Sequence, residues 1–413
     1  MKYFTILLFI TLYSCNSNID QKDEKFQDAS KIISPYLTDL KETSNMTITI
    51  KIPANFDKSD PFFLSDIIDK VWYVKLETTK ESLIRYIDKV IPYKNNFFIL
   101  DVFGKSLLQF NSKGRFIRKI GSIGKGPGEY MNPISFIIDS GKEEILLHDD
   151  KLNKMIYYSL DGSFLNEKKL NYRFMEFEKL GTNKYIISID RKINFHLNDV
   201  KNYKLILASS DWHILGRAFE YEAEKKNGIA SAIQAITKYK DSLIYNPSFS
   251  YDIYSITQNG IDRKYSIDVG NKKLPDDFDR NLSIEDFIKK YNSANSDIMY
   301  IGKPFFETED HLITTLNYKK RNIPMYYSKN SHKVICGLQY KDDMLEDFGI
   351  IYPIAINGNV LIGKVNASTI ITCKEAYKKH SLQSRLSAEK RAFMESIKEN
   401  DNPVLSFFTI KKF

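Results

Sequence analysis

The chain has 413 residues, and its 60 Lys and Arg against 52 Asp and Glu leave a net charge of +8 spread along the sequence. Basic runs such as Lys319-Lys-Arg321 and Lys378-Lys379 are isolated, which excludes the dense basic patch of a nucleic-acid binder, so no nucleic-acid partner is expected. Three cysteines are too few for a disulfide framework.

Residues 1–14 carry Lys2 near their start and an apolar run at 4–12, the pattern of an export signal and too short for a membrane span. The segment Leu12-Tyr-Ser-Cys15 resembles a bacterial lipobox, which makes Cys15 the expected lipid-attachment residue; the alternative is a short signal with an incidental cysteine. Attached acyl chains would hold the chain on a membrane with roughly 0.8 kcal/mol per buried methylene. Residues 15–45 open with a polar stretch lacking periodicity and are expected to form a lipid-anchored tether below a folded body at 46–413. No later segment has the length and apolarity of a second span. Cys336 and Cys373 sit in apolar, strand-like contexts and admit either a disulfide or two lone thiols.

The body repeats. At a shift of 48 residues, Asp101 matches Asp149, Leu108 matches Ile156, Phe110 matches Tyr158, Gly114 matches Gly162 and Phe116 matches Phe164. In both copies a strand ends on an aromatic, passes a turn whose glycine supplies a positive φ, and restarts on phenylalanine. Weaker copies follow around residues 205–215, which lack the glycine, and around 252–260, 325–335 and 354–362. Multi-strand repeats of 40–50 residues predict the blades of an all-β, six-bladed β-propeller with short helical insertions, in which each sheet hides its faces against its neighbours. A β-sandwich or solenoid is the alternative. An aromatic content of 13 % suits the propeller, because wide side chains fill the wedge between splayed sheets.

Two segments break the β pattern. Ser283 and Asp286 read as a capping pair before apolar residues at helical spacing, Ile284, Phe287, Ile288 and Tyr291, so a helix is inserted at about 283–293. A second helix is expected at about 384–400, with Leu386, Phe393, Met394 and Ile397 on one stripe and Pro403 just beyond its end. The strand at 404–410 would then close the ring by pairing with the first or last blade.

Between two repeats lies Gly121-Ser-Ile-Gly-Lys-Gly-Pro-Gly-Glu-Tyr130, read as a shaped blade connection built on Gly124, Gly126, Pro127, Gly128, Glu129 and Tyr130. It is not a phosphate loop: Lys125 is followed by Gly-Pro-Gly and a strand, whereas a phosphate cradle needs a helix to open there, and the proline removes a donor. With the lipobox, the Trp72-Tyr-Val-Lys-Leu-Glu77 strand, Asp252-Ile-Tyr-Ser-Ile256, Tyr265-Ser-Ile-Asp-Val-Gly270 and the Asn402-Pro-Val-Leu405 ending, this motif resembles the six-bladed β-propeller lipoproteins of Bacteroidetes, rich in NHL-type blades. The resemblance implies an outer-membrane lipoprotein, facing the periplasm or the cell surface, and little defined chemistry. Gln21-Lys-Asp-Glu24 resembles the acidic surface-export signals of such proteins, at a longer distance from the cysteine.

Catalytic and metal signatures are missing from the spacing. The six histidines are scattered without a His-x3-His pair, and the Asp-Asp pairs at 149, 276 and 342 fall at turns, where aspartate caps backbone groups. There is no Gly-x-Ser-x-Gly. No cofactor and no metal is expected. The expected function is that of a monomeric binding module for a protein, peptide or glycan. One alternative is an enzyme with an axial active site, of a polysaccharide lyase, hydrolase or peptidase kind; another is a scaffold subunit of an outer-membrane uptake complex.

Overall fold

The computed structural model describes residues 26, 31–43, 46–58, 60–189, 194–221, 234–276, 278, 283–344, 348 and 352–413. The expected signal at 1–14 and lipid-attachment residue Cys15 lie outside them.

The chain folds as a six-bladed β-propeller. Blades 1 to 5 are antiparallel sheets at 89–120, 133–169, 176–220, 236–268 and 299–336, and blade 6 takes in 355–410. Ring closure uses both ends of the chain. The last strand, Val404–Ile410, pairs with Val360–Val365 on one side and with Ile68–Lys75 on the other, so an N-terminal strand forms the outer edge of blade 6. Opening the ring therefore requires breaking a full interstrand ladder.

The packing follows the ring. One apolar cluster fills each interface, and its members alternate along the strands, as a sheet buried on both faces requires. Phe98, Phe136 and Tyr158 lie between blades 1 and 2, Phe177 and Trp212 between 2 and 3, and Phe97 and Phe407 between 6 and 1. Cys336 is buried in the blade 4–5 cluster, where burial pushes its thiol up to about 12. It forms no disulfide with Cys373.

The N-terminal segment ahead of the first blade is more structured than a tether would be. Of the range 15–45 expected as tether, Ile33–Asp39 (β1) and Glu42–Thr43 (β2) are strands. β1 runs parallel to the outer strand of blade 3, and β2 and Ile48–Lys51 (β3) run parallel to that of blade 4. Phe62–Phe63 (β4) pairs beside blade 5 before Ile68–Lys75 (β5) enters blade 6. This belt caps exposed strand edges with backbone hydrogen bonds, which do not depend on side-chain hydrophobicity.

The helices among the described residues are α1 (Ile284–Tyr291), α2 (Ala367–Lys379) and α3 (Ala388–Glu395). Ser283 accepts from the Asp286 N–H at 3.1 Å and starts α1. Helix α2 is not apparent in the sequence pattern, and Cys373 lies in it rather than in a strand. The β-branched run Thr369-Ile-Ile-Thr372 favours a strand locally. Burial of Ile370 against Phe348, Leu386 and Met394 outweighs that preference.

The missing glycine of the third repeat has a specific replacement. Gly114 and Gly162 adopt φ of 77° and 85° in their turns, and Trp212, at the same turn position of blade 3, adopts 68°. A side chain in that region is strained. Here the indole is buried, donates to the Tyr157 hydroxyl at 2.8 Å and stacks on Tyr185 at 4.7 Å, which offsets the strain.

Candidate functional site

The two faces of the ring differ. Inner and second strands are joined on one face by short turns, at 94–95, 140–143, 181–183, 240–241, 308–310 and 358–359. On the opposite face, where the inner strands begin, lie the described ends of the long connections: 76–88, 121–132, 189–202, 221–235, 269–298 with α1, 337–354, and 366–403 with α2 and α3. We call this the mouth face. Long loops on a rigid ring are where binding residues are expected.

Buried side chains hold these connections in shape. Asp101 and Asp149, equivalent in the 48-residue repeat, end the second strands of blades 1 and 2. Asp101 accepts from the N–H groups of Arg85 and Gly104, and Asp149 from those of Met131, Asn132, Lys151 and Leu152. A carboxylate satisfied in this way is a structural staple. Asn402 does the same for the link from blade 6 to blade 1, accepting from the Ile84 N–H and donating to the Glu77 and Ser82 carbonyls.

The glycine-rich connection is built around Glu129. Its Oε2 accepts from the Gly126 N–H at 2.8 Å, and a β-carbon on Gly124 would lie 1.9 Å from that same oxygen, so Gly124 is required for close approach. Gly128 donates to Glu167, which also receives Lys154, while the hydroxyls of Tyr130 and Tyr158 donate to the Ile120 and Gly128 carbonyls. Pro127 lies between the two glycines at the exposed tip. The donors that a phosphate would need are thus directed at the protein's own carboxylates.

On the axis, ionisable groups meet. Lys89 of blade 1 reaches Glu178 of blade 3 at 3.0 Å, past the intervening blade. Gln234, ahead of blade 4, donates to the carbonyls of Asp88 (3.0 Å) and Ile354 (3.4 Å), ahead of blades 1 and 6. Glu176 accepts from the N–H groups of Ala235 and Ile236, and burial raises its carboxyl to about 7. Asp88 is likewise raised to about 6 by burial, although it accepts from the Val102 N–H. Burial lowers Lys364 to about 7; its ammonium donates to the Ile87 carbonyl and lies 3.2 Å from the Tyr86 ring centre. Sequence spacing could not show this cluster, because its members are as far apart along the chain as Asp88, Glu176, Gln234 and Lys364.

Around the axis the mouth face carries exposed apolar side chains. Leu83, Tyr86, Phe103, Ile123 and Phe195 are 43–61 % exposed and all lie on its loops, with the Arg85 guanidinium 5.3 Å from the Phe103 ring centre. A separate groove of about 500 Å³ lies at the rim of blade 4, lined by Phe249, Tyr251, Asp268, Lys273 and Phe278. Among the described residues no group of three or more His, Cys, Asp or Glu could hold a metal ion, and no helix is long and apolar enough to cross a membrane.

Fold and face together define a six-bladed β-propeller with one elaborated loop surface. A family model described as a domain of unknown function, DUF4934, matches residues 47–409, and the chain belongs to that family. The chain is similar in structure to an exported protein of Bacteroides fragilis, with a TM-score of 0.72 and 22 % identity over 89 % of this chain and 100 % of that one. It is also similar to a DUF4221-family member from Bacteroides vulgatus, with a TM-score of 0.50 and 8 % identity over 83 % and 97 % of the two chains. At these identities the likeness shows the fold alone. No curated protein matches the chain.

Proposed function

We propose that this protein is a lipid-anchored envelope propeller, attached through Cys15, that binds a protein, peptide or glycan on its mouth face. One observation carries the reading. The exposed Leu83, Tyr86, Phe103, Ile123 and Phe195 share the face that bears the long connections, while the axial groups are spent on one another. Aromatic and arginine side chains at such a surface are the usual anchors of recognition. The signal pattern of residues 1–14 supports export, and the lipobox and NHL-type resemblance support an outer-membrane address.

The test is a binding screen of residues 16–413 against glycan and peptide arrays and envelope extract, beside a Tyr86→Ala/Phe103→Ala variant. We expect retention of an unaltered ligand by the parent and loss of at least tenfold in affinity by the variant. Equal retention by both would remove the mouth face from the reading. A second reading, an enzyme, is favoured by Glu176, whose carboxyl near 7 suits acid–base chemistry. Ligand turnover abolished by Glu176→Gln would put that reading in place of the first.

A further inference from the structure

Phe26 is seated on the mouth face. Its ring stacks on His196 with centroids 4.5 Å apart, and the Arg173 guanidinium lies 5.3 Å from its centre. Both partners belong to mouth-face connections of blade 3. Arg173 is fixed in turn by Asn194, which accepts from its N–H at 2.8 Å and donates to its carbonyl at 2.9 Å. Among the described residues, the first fully buried one after Phe26 is Ile32, in the core between blades 2 and 3, and β1 follows.

Phe26 comes about eleven residues after Cys15. Eleven residues can reach no further than about 40 Å. A body tied at Ile32 alone would have a longer leash and a fixed point inside an interface, leaving either face free to turn inward. The Phe26 contact places the fixed point on the loop-bearing side.

We infer that the lipid on Cys15 holds the mouth face toward the bilayer, and that the partner of this face is an integral protein of the same membrane. The inference rests on the lipid-anchor reading. A protein occupant fits better than the lipid surface because exposed charge is set among the exposed apolar groups: Arg85 lies against Phe103, and Lys125 is exposed two residues from Ile123. Inserting those charges into hydrocarbon is costly, whereas arginine beside aromatic side chains is common in protein interfaces. A membrane-held partner would also meet this face at a raised effective concentration, set by the short leash.

The experiment uses the full chain, purified from membranes and reconstituted into phosphatidylethanolamine–phosphatidylglycerol vesicles that contain an acceptor-labelled lipid. Cys336 and Cys373 are replaced by serine, and one donor dye is placed through Lys125→Cys on the mouth face or Lys142→Cys in a short turn of the other face; both positions are exposed. Energy transfer to the lipid is expected to be at least twofold stronger from position 125, and Phe26→Ala is expected to shrink the difference. Equal transfer, or stronger transfer from 142, overturns the orientation. The mass of the N-terminal peptide separates the two readings: acylated Cys15 without asymmetry sinks the orientation alone, and unmodified Cys15 sinks both. For the partner, a photo-crosslinker replaces Phe103 or Lys142 in intact cells. Capture of a carbonate-resistant membrane protein from 103 and not from 142 supports the inference; adducts only with lipid or with a soluble glycan, or none, overturn it.

Discussion

Lys89 and Glu178 form an ion pair at 3.0 Å although a whole blade lies between their inner strands. Both side chains are largely buried, so each has lost most of its water and is compensated chiefly by the other. The pair ties alternate blades directly across the axis, a contact that neighbouring-blade packing cannot supply. Lys89→Met is expected to cost about 3 kcal/mol, because it strands the Glu178 charge; Lys89→Met with Glu178→Leu should recover most of that loss. Urea unfolding of the two single variants and the double variant measures it. A double variant as unstable as the singles would show that the pair stabilises the ring in its own right.

Trp212 predicts a reversal of the usual order of substitutions. Trp212→Ala removes a buried indole and should cost about 3–5 kcal/mol. Trp212→Gly loses the same packing but relieves the positive φ, so it should be the more stable of the two by about 1 kcal/mol. Outside that region glycine would be the worse choice. Midpoints of chemical unfolding for the two variants decide the matter.

Glu176 predicts a pH dependence. Its folded carboxyl is raised to about 7 from 4.5. The folded state therefore holds the proton more tightly than the unfolded chain, so stability from this group is full below about pH 4.5 and is lost as pH rises through 7. Glu176→Gln keeps an oxygen for the Ala235 and Ile236 N–H groups and cannot ionise. It should flatten the fall in stability between pH 5 and 8, by up to roughly 3 kcal/mol. An unchanged profile in the variant would place the titration elsewhere.

The glycine-rich connection offers a coupled pair. Gly124→Ala would displace the Glu129 carboxylate, and Glu129→Ala would remove it; each should cost about 1–3 kcal/mol by leaving the Gly126 N–H without its acceptor. The double variant should be little worse than either single one, because both remove the same hydrogen bond. Strictly additive losses in thermal unfolding would separate the two roles.

Burial makes Cys336 a probe of opening. It is 8 % exposed, and its thiol is pushed up to about 12. At pH 8 it should resist maleimide in the native protein and react once urea unfolds the ring. Rapid labelling under native conditions would mean that blades 4 and 5 separate readily.

Much of the ring was legible because each blade writes its own pattern. The strand ending in Phe110, the turn at Gly114 and the restart on Phe116 recur at Tyr158, Gly162 and Phe164 within short stretches of chain. The belt strand Ile33–Asp39 was not legible. It pairs through a backbone ladder with Ile214 to Arg217 and brings only two partly buried apolar side chains, Ile33 and Leu37, to the core, too few for a strand pattern. Helix α2 was hidden for the converse reason: its local sequence favours a strand, and the helix is chosen by what Ile370 packs against. The Asp101 and Asp149 staples carried a sequence signal in their matching repeat positions, whereas nothing near Phe26 pointed to blade 3.

The sequence by itself determined the number and kind of repeating units, because strand periodicity and turn residues act between neighbours a few positions apart. It also determined that aromatic side chains would fill the interfaces. Only the tertiary structure decided which groups meet at the axis, that Tyr86, Phe103 and Phe195 share one face, and where Phe26 is seated. Those contacts join residues as distant as Gln234 and Asp88. They exist only once the ring has closed, since closure alone sets which inner strands face each other across the centre.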